Sequence, residues 1–292
     1  MRAILNKQCT VKQLFIHPIK GCRPVMVSSV QINEYGVVGD RELMVVKDGK
    51  KTNLKNLPAL AKISIEQIET GLFRLSADGT SPIEFRKVVD GDIESASFYG
   101  DMPQVRQQGA EVADWISAVV GQSVSLVCLP APFKRNLAIE PLMPLHDSLQ
   151  HSFADLAPIM VVNQSTLDDL NERLSVPVPV ERFRPNIVVG GYSAYEEDDV
   201  SGLENGELQF THVTACERCT IINTHHENGQ MMGKYPLNTL SKYRRFEGGY
   251  DSGINFGDYF TVQGSGTLSV GDALKVSTRK TAGTASSEEG CK

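Results

Sequence analysis

Cys216 and Cys219 stand three residues apart in Ala215-Cys216-Glu217-Arg218-Cys219-Thr220, with Arg184-Pro185-Asn186 upstream and Pro236-Leu237-Asn238-Thr239-Leu240 downstream. Ionised sulfur is both a nucleophile and a soft metal ligand, so a cysteine beside a fixed cation is a natural centre for metal or redox chemistry. Several chemistries compete for the pair. A structural zinc site needs four ligands, and His225 and His226 are the nearby histidines that could join the cysteines. A thioredoxin-type pair opens a helix after a strand. Cys219 instead leads into Thr220-Ile221-Ile222-Asn223-Thr224, a β-branched run predicted to be a strand, which disfavours disulfide exchange. Free cysteine is also often a small buried hydrophobe, and that reading suits Cys216 better than Cys219.

The elements around this pair are mostly short strands. Val25 to Ile32, Leu43 to Val46, Leu72 to Leu75, Ile83 to Val89, Val124 to Leu129 and Ile187 to Val189 are brief apolar or β-branched runs, many bounded by Gly, Asp, Asn or Pro. Asp48-Gly49 reads as a hairpin turn. Helical periodicity is confined to Val112, Trp115, Ile116 and Val119, to Leu167, Leu170 and Leu174 with Ser165 or Thr166 as cap, and to a short segment near Asn238 carrying Leu240 and Tyr243. The expected fold class is therefore mainly β with a few helices (α+β). The acidic run Glu196-Glu197-Asp198-Asp199 reads as a solvated loop.

Composition narrows the partners. With 29 basic and 35 acidic residues the formal charge is -6, which argues against a sequence-independent grip on nucleic acid. The 6 cysteines are irregularly spaced in a chain of 292 residues, as in a reduced cytoplasmic protein. No apolar run approaches the roughly 18 residues a membrane helix needs, so no membrane partner is expected. Proline-bearing Leu129-Pro130-Ala131-Pro132 and Glu140-Pro141-Leu142-Met143-Pro144 flank a connecting or active-site loop. Gly264-Ser265-Gly266 and Gly233-Lys234-Tyr235 lack the spacing of nucleotide-binding loops, and His146-Asp147-Ser148 gives no sign of a catalytic triad.

Several motifs recur in a fixed order. Phe183-Arg184-Pro185-Asn186-Ile187-Val188, Ala215-Cys216-Glu217-Arg218-Cys219, Pro236-Leu237, Thr239-Leu240, Phe256-Gly257 and Val270-Gly271-Asp272 together resemble a molybdenum cofactor sulfurase C-terminal (MOSC) domain. His17-Pro18-Ile19-Lys20-Gly21-Cys22 and Gly39-Asp40-Arg41 resemble the β-barrel domain that precedes it. The pairing is similar to bacterial YcbX-type proteins and mitochondrial amidoxime-reducing components, over roughly residues 8 to 277. It implies two β-barrel-like domains, 1–125 and 126–278; the small and polar end of the chain is read separately as a disordered tail, 279–292.

The same resemblance implies a molybdenum cofactor, a metal held by the dithiolene of a pterin phosphate, with Cys219 as catalytic residue and metal ligand. It places Lys20, Gly21, Arg41, Asp155, Leu156, Arg184, Asn186, Arg218 and Tyr259 at the cofactor. Lys20 offers a point charge, the arginines offer planar forks for phosphate or pterin carbonyls, and Asn186 can both donate and accept. The implied activity is reduction of small N-hydroxylated compounds, with electrons from a separate flavoprotein or iron-sulfur donor. A non-catalytic cofactor carrier, or a module transferring sulfur through a Cys219 persulfide, is the alternative. Departures from the family pattern are Asp155-Leu156-Ala157-Pro158 where relatives carry Asp-Thr-Ser before proline, Ile222 to His226 after the cysteines, Tyr235 before Pro236, and Thr52-Asn53-Leu54-Lys55.

Overall fold

The computed structural model describes residues 7–99, 102–130, 152–247 and 253–279. The connecting or active-site loop expected between Pro132 and Glu140 lies outside the described residues, as do His146-Asp147-Ser148 and the tail from 280 onward. Strands dominate, with three α-helices among the described residues, as the sequence pattern requires.

Seven strands form a closed barrel: β1 (Gln8–Ile16), β2 (Ile159–Asn163), β3 (Ile187–Gly190), β4 (Val200–Asn205), β5 (Leu208–Glu217), β6 (Gly253–Gln263) and β7 (Ala273–Arg279). The ring runs β2-β3-β1-β7-β4-β5-β6 and returns to β2. Neighbours are antiparallel except β2 and β3, which are parallel. Alternating residues turn inward, so Val11, Leu14, Val161, Ile187, Phe210, Phe260 and Leu274 share one core. A bulge between Val11 and Gln13 of β1 shifts the register and keeps Leu14 in that core. On the outer face, Phe15, Val162, Val188 and Phe256 pack with Leu167 and Leu170 of helix α2 (Gln164–Glu172) and Leu240 of the short α3 (Leu237–Leu240).

A second core lies outside the barrel. Ile19–Lys20, Leu43–Lys47, Ser125–Cys128, Gln104–Gln107 and Ile93–Ser95 pair in that order, with Lys50–Lys51 folded back across the Asp48-Gly49 turn. Both turn residues have positive φ, 51° and 67°, as the expected hairpin requires. The meander Ser64–Glu69, Leu72–Ala77, Thr80–Arg86 covers this core with helix α1 (Ala110–Val120), which buries Val112, Ile116 and Val120. Strand pairing crosses the boundary expected near 125. β1 comes from the N-terminal segment yet forms a stave of the barrel, and Ser29–Asn33 pairs with Gly266–Ser269.

Three local expectations are corrected. Thr220–Asn223 is a 3-10 turn and not a strand, because burial of Ile222 against Phe183 and Phe256 outweighs β propensity. Glu196–Asp199 is not a solvated loop: it forms a 3-10 turn in which Glu197 is 5% exposed. Its carboxylate accepts from Asn163 Nδ2 at 2.9 Å and Thr166 Oγ1 at 2.5 Å, while Asp198 pairs with both terminal nitrogens of Arg244 at 2.7 and 2.9 Å. Finally, α2 is capped by Asn163, whose Oδ1 accepts from the Ser165 amide at 3.2 Å, and not by Ser165 or Thr166. No helix among the described residues is long and apolar enough to cross a membrane.

Candidate functional site

The cation-bearing segments and the cysteine pair meet in one solvent-open cleft between the barrel and the second core. Eight of the ten expected residues line it: Lys20, Gly21, Arg41, Asp155, Arg184, Arg218, Cys219 and Tyr259. Asn186 and Leu156 do not. Asn186 is buried behind the wall, where its Oδ1 accepts from the Met160 amide at 3.2 Å and from Arg41 Nη1 at 3.3 Å, so it aims Arg41. Leu156 packs beside Ala157 and Val213.

Each wall follows from its own strand. β1 ends at Ile16 and the chain leaves the barrel through His17-Pro18, carrying Lys20 and Gly21 to the cleft. Gly21 has φ of 88°, and a Cβ there would stand 2.9 Å from Leu60 Cδ1, so glycine serves both the turn and the close approach. His17 lies beneath, fully buried; desolvation, with the charges of Arg41 and Arg184, holds it neutral. Its Nε2 stands 2.9 Å from Pro185 O and donates to it, while its backbone N–H donates to Asp40 Oδ1 at 2.8 Å. Asp40 in turn pairs with Arg41, which also donates to Arg184 O at 3.1 Å.

Five cations reach the cleft: Lys20, Arg41, Arg182, Arg184 and Arg218. Lys20 donates to Phe153 O at 2.9 Å and pairs with Asp155, whose side chain is 53% exposed. Burial pulls the Lys20 pKa down, only partly offset by Asp155. Partial desolvation by the cleft walls works to raise the Asp155 pKa, but Lys20 and the Tyr99 hydroxyl, which donates at 2.6 Å, hold the carboxyl far below its usual range. Exposure of Asp155 to solvent keeps that ion pair to about 1 kcal/mol. Arg218 is braced by the carbonyls of Phe256 and Phe183, both at 2.9 Å, and so fixes the Cys216–Cys219 turn against β6.

Arg184 is different. Its Nη1 donates to Cys22 O at 2.9 Å, but its Nη2 is buried without a partner, and burial with the nearby Arg41 charge lowers its pKa to about 10. A buried guanidinium edge with nothing to bind carries a desolvation penalty that an anionic oxygen would relieve. Arg41, Arg184 and Tyr99 all line the cleft with positive φ, at 52°, 56° and 50°, a conformation costing about 1–2 kcal/mol each.

The two cysteines diverge. Cys219 is exposed at the start of the 3-10 turn, on the cleft wall. Cys216 is buried beside Tyr259, and burial pushes its thiol up, leaving it neutral. The zinc alternative finds no ligand set: among the described residues no three His, Cys, Asp or Glu side chains converge as metal ligands, and His225 and His226 stack on each other at 5.0 Å. A soft exposed thiol facing a cluster of cations with an unmet guanidinium edge fits a thiolate-bound metal carried by an anionic pterin.

Arg182 and Tyr99 are cleft residues that the motifs did not single out. Only the adjacency of Arg182 to Arg184 hinted at the first, and nothing local marked the second.

A MOSC domain model matches residues 148–275, and a MOSC N-terminal beta barrel domain model matches residues 8–123. Mitochondrial amidoxime reducing component 2 of Rattus norvegicus is 33% identical over 288 residues, covering 94% of this chain and 85% of that protein. The chain belongs to the MOSC family of the amidoxime reducing components. The human amidoxime-reducing component 1 is 30% identical, covering 94% of this chain and 84% of its own length. The molybdenum cofactor sulfurase of Oryza sativa subsp. japonica is 29% identical over 91% of this chain, which spans only 34% of that longer protein. Membership in this MOSC family points to association with the molybdenum cofactor and to a reductase.

Proposed function

We propose that the protein is a molybdenum cofactor-dependent reductase of small N-hydroxylated compounds, supplied with electrons by a separate flavoprotein or iron-sulfur protein. The carrying observation is the placement of one exposed thiol, Cys219, in a cleft with five cations, of which Arg184 keeps a buried and unpartnered Nη2. When bound, the cofactor supplies a two-electron redox centre for the net change from N–OH and two protons to N–H and water.

The chain's own residues bind and orient. Cys219 is the protein's metal ligand, and Arg184, Arg41 and Lys20 hold the phosphate and the polar edge of the pterin. Asn186 and Asp40 lock Arg41, and the two carbonyls on Arg218 keep the cysteine turn at a fixed height above β6. Leu54, Ile221 and Phe183 supply the apolar portion of the wall, which suits a small, largely apolar substrate.

Cys219→Ala is expected to abolish reduction of a hydroxylamine or amidoxime while leaving the urea midpoint unchanged, since the side chain is exposed. Cys216→Ala keeps turnover but loses stability. Metal and pterin analysis of protein made in a cofactor-synthesising host should give near-stoichiometric molybdenum in the wild type. Full turnover in the Cys219 variant would refute the assignment.

A further inference from the structure

Arg182 sits two residues before Arg184, in the 3-10 turn Val180–Phe183, and lines the same cleft. It is 9% exposed, and its Nε is buried without a partner. Among the described residues its side chain makes no hydrogen bond and no ion pair, whereas Arg41 has Asp40 and Arg218 has two carbonyls. Burial depresses the Arg182 pKa with no anion to oppose it. A second unmet atom lies nearby: His226 Nδ1 is buried without a partner, and its ring feels the Arg182 charge. Thus Arg182 and Arg184 both line the cleft, and each keeps one buried N–H without a partner, Nε in the first and Nη2 in the second. Native proteins rarely leave buried cations in that state unless a ligand completes them.

We propose that Arg182 is an anion-binding residue of the cleft, receiving a phosphate or carboxylate oxygen of the bound ligand beside Arg184. Two sources share this chemistry: the phosphate of the pterin and a carboxylate on the substrate. The planar fork of Arg182 suits either, and a protein with an overall charge of -6 concentrates its attraction for anions at such local clusters. Arg182 belongs to the cleft assigned above to cofactor and substrate, and its role rests on that assignment.

The test begins without cofactor. The full chain from a host unable to make the pterin is titrated with inorganic phosphate by calorimetry and thermal melting. Arg182→Gln is expected to bind phosphate about tenfold more weakly than wild type, as loss of a charge-assisted bond requires, while its ligand-free melting temperature stays level or rises. Arg182→Lys keeps the charge and returns affinity to within about threefold of wild type.

Protein from a cofactor-synthesising host then separates the two sources. Lower molybdenum and pterin content in Arg182→Gln assigns the anion to the pterin phosphate. Unchanged content, with KM raised about tenfold for 4-carboxybenzamidoxime but not for benzamidoxime, assigns it to the substrate. Wild-type phosphate affinity in Arg182→Gln overturns the proposal, as does a ligand-free protein that no longer folds, which would make Arg182 a structural brace. Neither result bears on Cys219, and absence of molybdenum from the wild type would leave the phosphate titration standing.

Discussion

Arg41→Met separates what this arginine does for the fold from what it does for a ligand. Asp40 is 3% exposed; one oxygen accepts from the His17 amide at 2.8 Å and the other is met by Arg41. Removing the guanidinium leaves a carboxylate buried with a single backbone donor. The two side chains are 12% and 3% exposed, which puts the pair at the buried end of the range, where loss of one partner costs about 3–5 kcal/mol. The bonds from Arg41 to Arg184 O and Asn186 Oδ1 go with it. Domains of this kind are stable by only about 5–15 kcal/mol, so the urea midpoint should fall sharply at nearly constant slope. The chain has one tryptophan, Trp115 on α1, to report unfolding by fluorescence. Adding Asp40→Asn removes the stranded charge, and the double variant should recover about 2 kcal/mol or more relative to Arg41→Met, a coupling expected of residues in contact. Molybdenum and pterin content should stay low in both variants, because the neutral pair restores stability without restoring the cation. A loss below about 1 kcal/mol in Arg41→Met, or cofactor content regained in the double variant, would refute the reasoning.

Burial lifts the Glu197 carboxyl to about 7, against the hydrogen bonds from Thr166 and Asn163 that favour its ionised form. A raised carboxyl holds its proton longer in the folded state, so this contribution is complete below about pH 4.5 and is lost as pH rises through about 7, amounting to roughly 3 kcal/mol. Glu197→Gln should flatten the dependence of the urea midpoint between about pH 5 and 8; equal slopes in the two proteins would exclude Glu197 as its source. Gly21→Ala forces a side chain into φ of 88° and against Leu60, costing about 1–2 kcal/mol and lowering pterin content by shifting Lys20. Gly229→Ala is harsher, since its Cβ would stand 2.0 Å from Pro58 O, a backbone atom, at φ of 74°. Limited proteolysis between residues 224 and 233 should quicken markedly in that variant, and an unchanged cleavage rate would show that the loop does not dock there.

The sequence made the chemistry-bearing residues more legible than their roles. Leu43 to Val46, Leu72 to Leu75, the Asp48-Gly49 turn and the Val112 helix fold where their pattern places them, whereas the run Val25 to Ile32 is broken at Ser28, the strand from Ile83 ends at Arg86 and the Leu167 helix ends at Glu172, before Leu174. Local signals failed where a distant partner decided the outcome. Thr220–Asn223 has the composition of a strand, but Ile222 is drawn into the core shared by Phe183 and Phe256 and the chain tightens into a turn. Glu197 has the composition of a solvated residue, yet Asn163 and Thr166 on the barrel side offer it donors that a charge run cannot reveal. Asn186 matched a ligand-binding motif, and only the packing of β3 against β1 shows that its amide serves Arg41 and the Met160 backbone. Arg182 escaped notice because a lone arginine in sequence looks like a surface ion pair until its burial and missing partner are seen.

Register explains why so many separate segments converge with little slack. β1 is fixed by β3 along Thr10 to Leu14 and by β7 along Gln8 to Thr10, and its exit at Ile16 is held by antiparallel pairing with Val25–Val27. The next residues are tied again: Phe15 N–H donates to Asn186 O at 2.9 Å, His17 Nε2 to Pro185 O, and Arg41 N–H to His17 O at 2.7 Å. Lys20, Arg41 and Arg184 therefore hang from one hydrogen-bonded knot at the exit of a single barrel stave. That knot also holds the two strained arginine backbones, since the Arg41 N–H donates to His17 O at 2.7 Å, the Arg184 N–H donates to Glu181 O at 3.1 Å, and Arg184 O accepts from Arg41. Cations placed in this way do not reorganise when an anion arrives, so the cost of bringing them together is met during folding and not during binding. A change that loosened β1 far from the cleft should then weaken anion binding as surely as a change in the cleft itself.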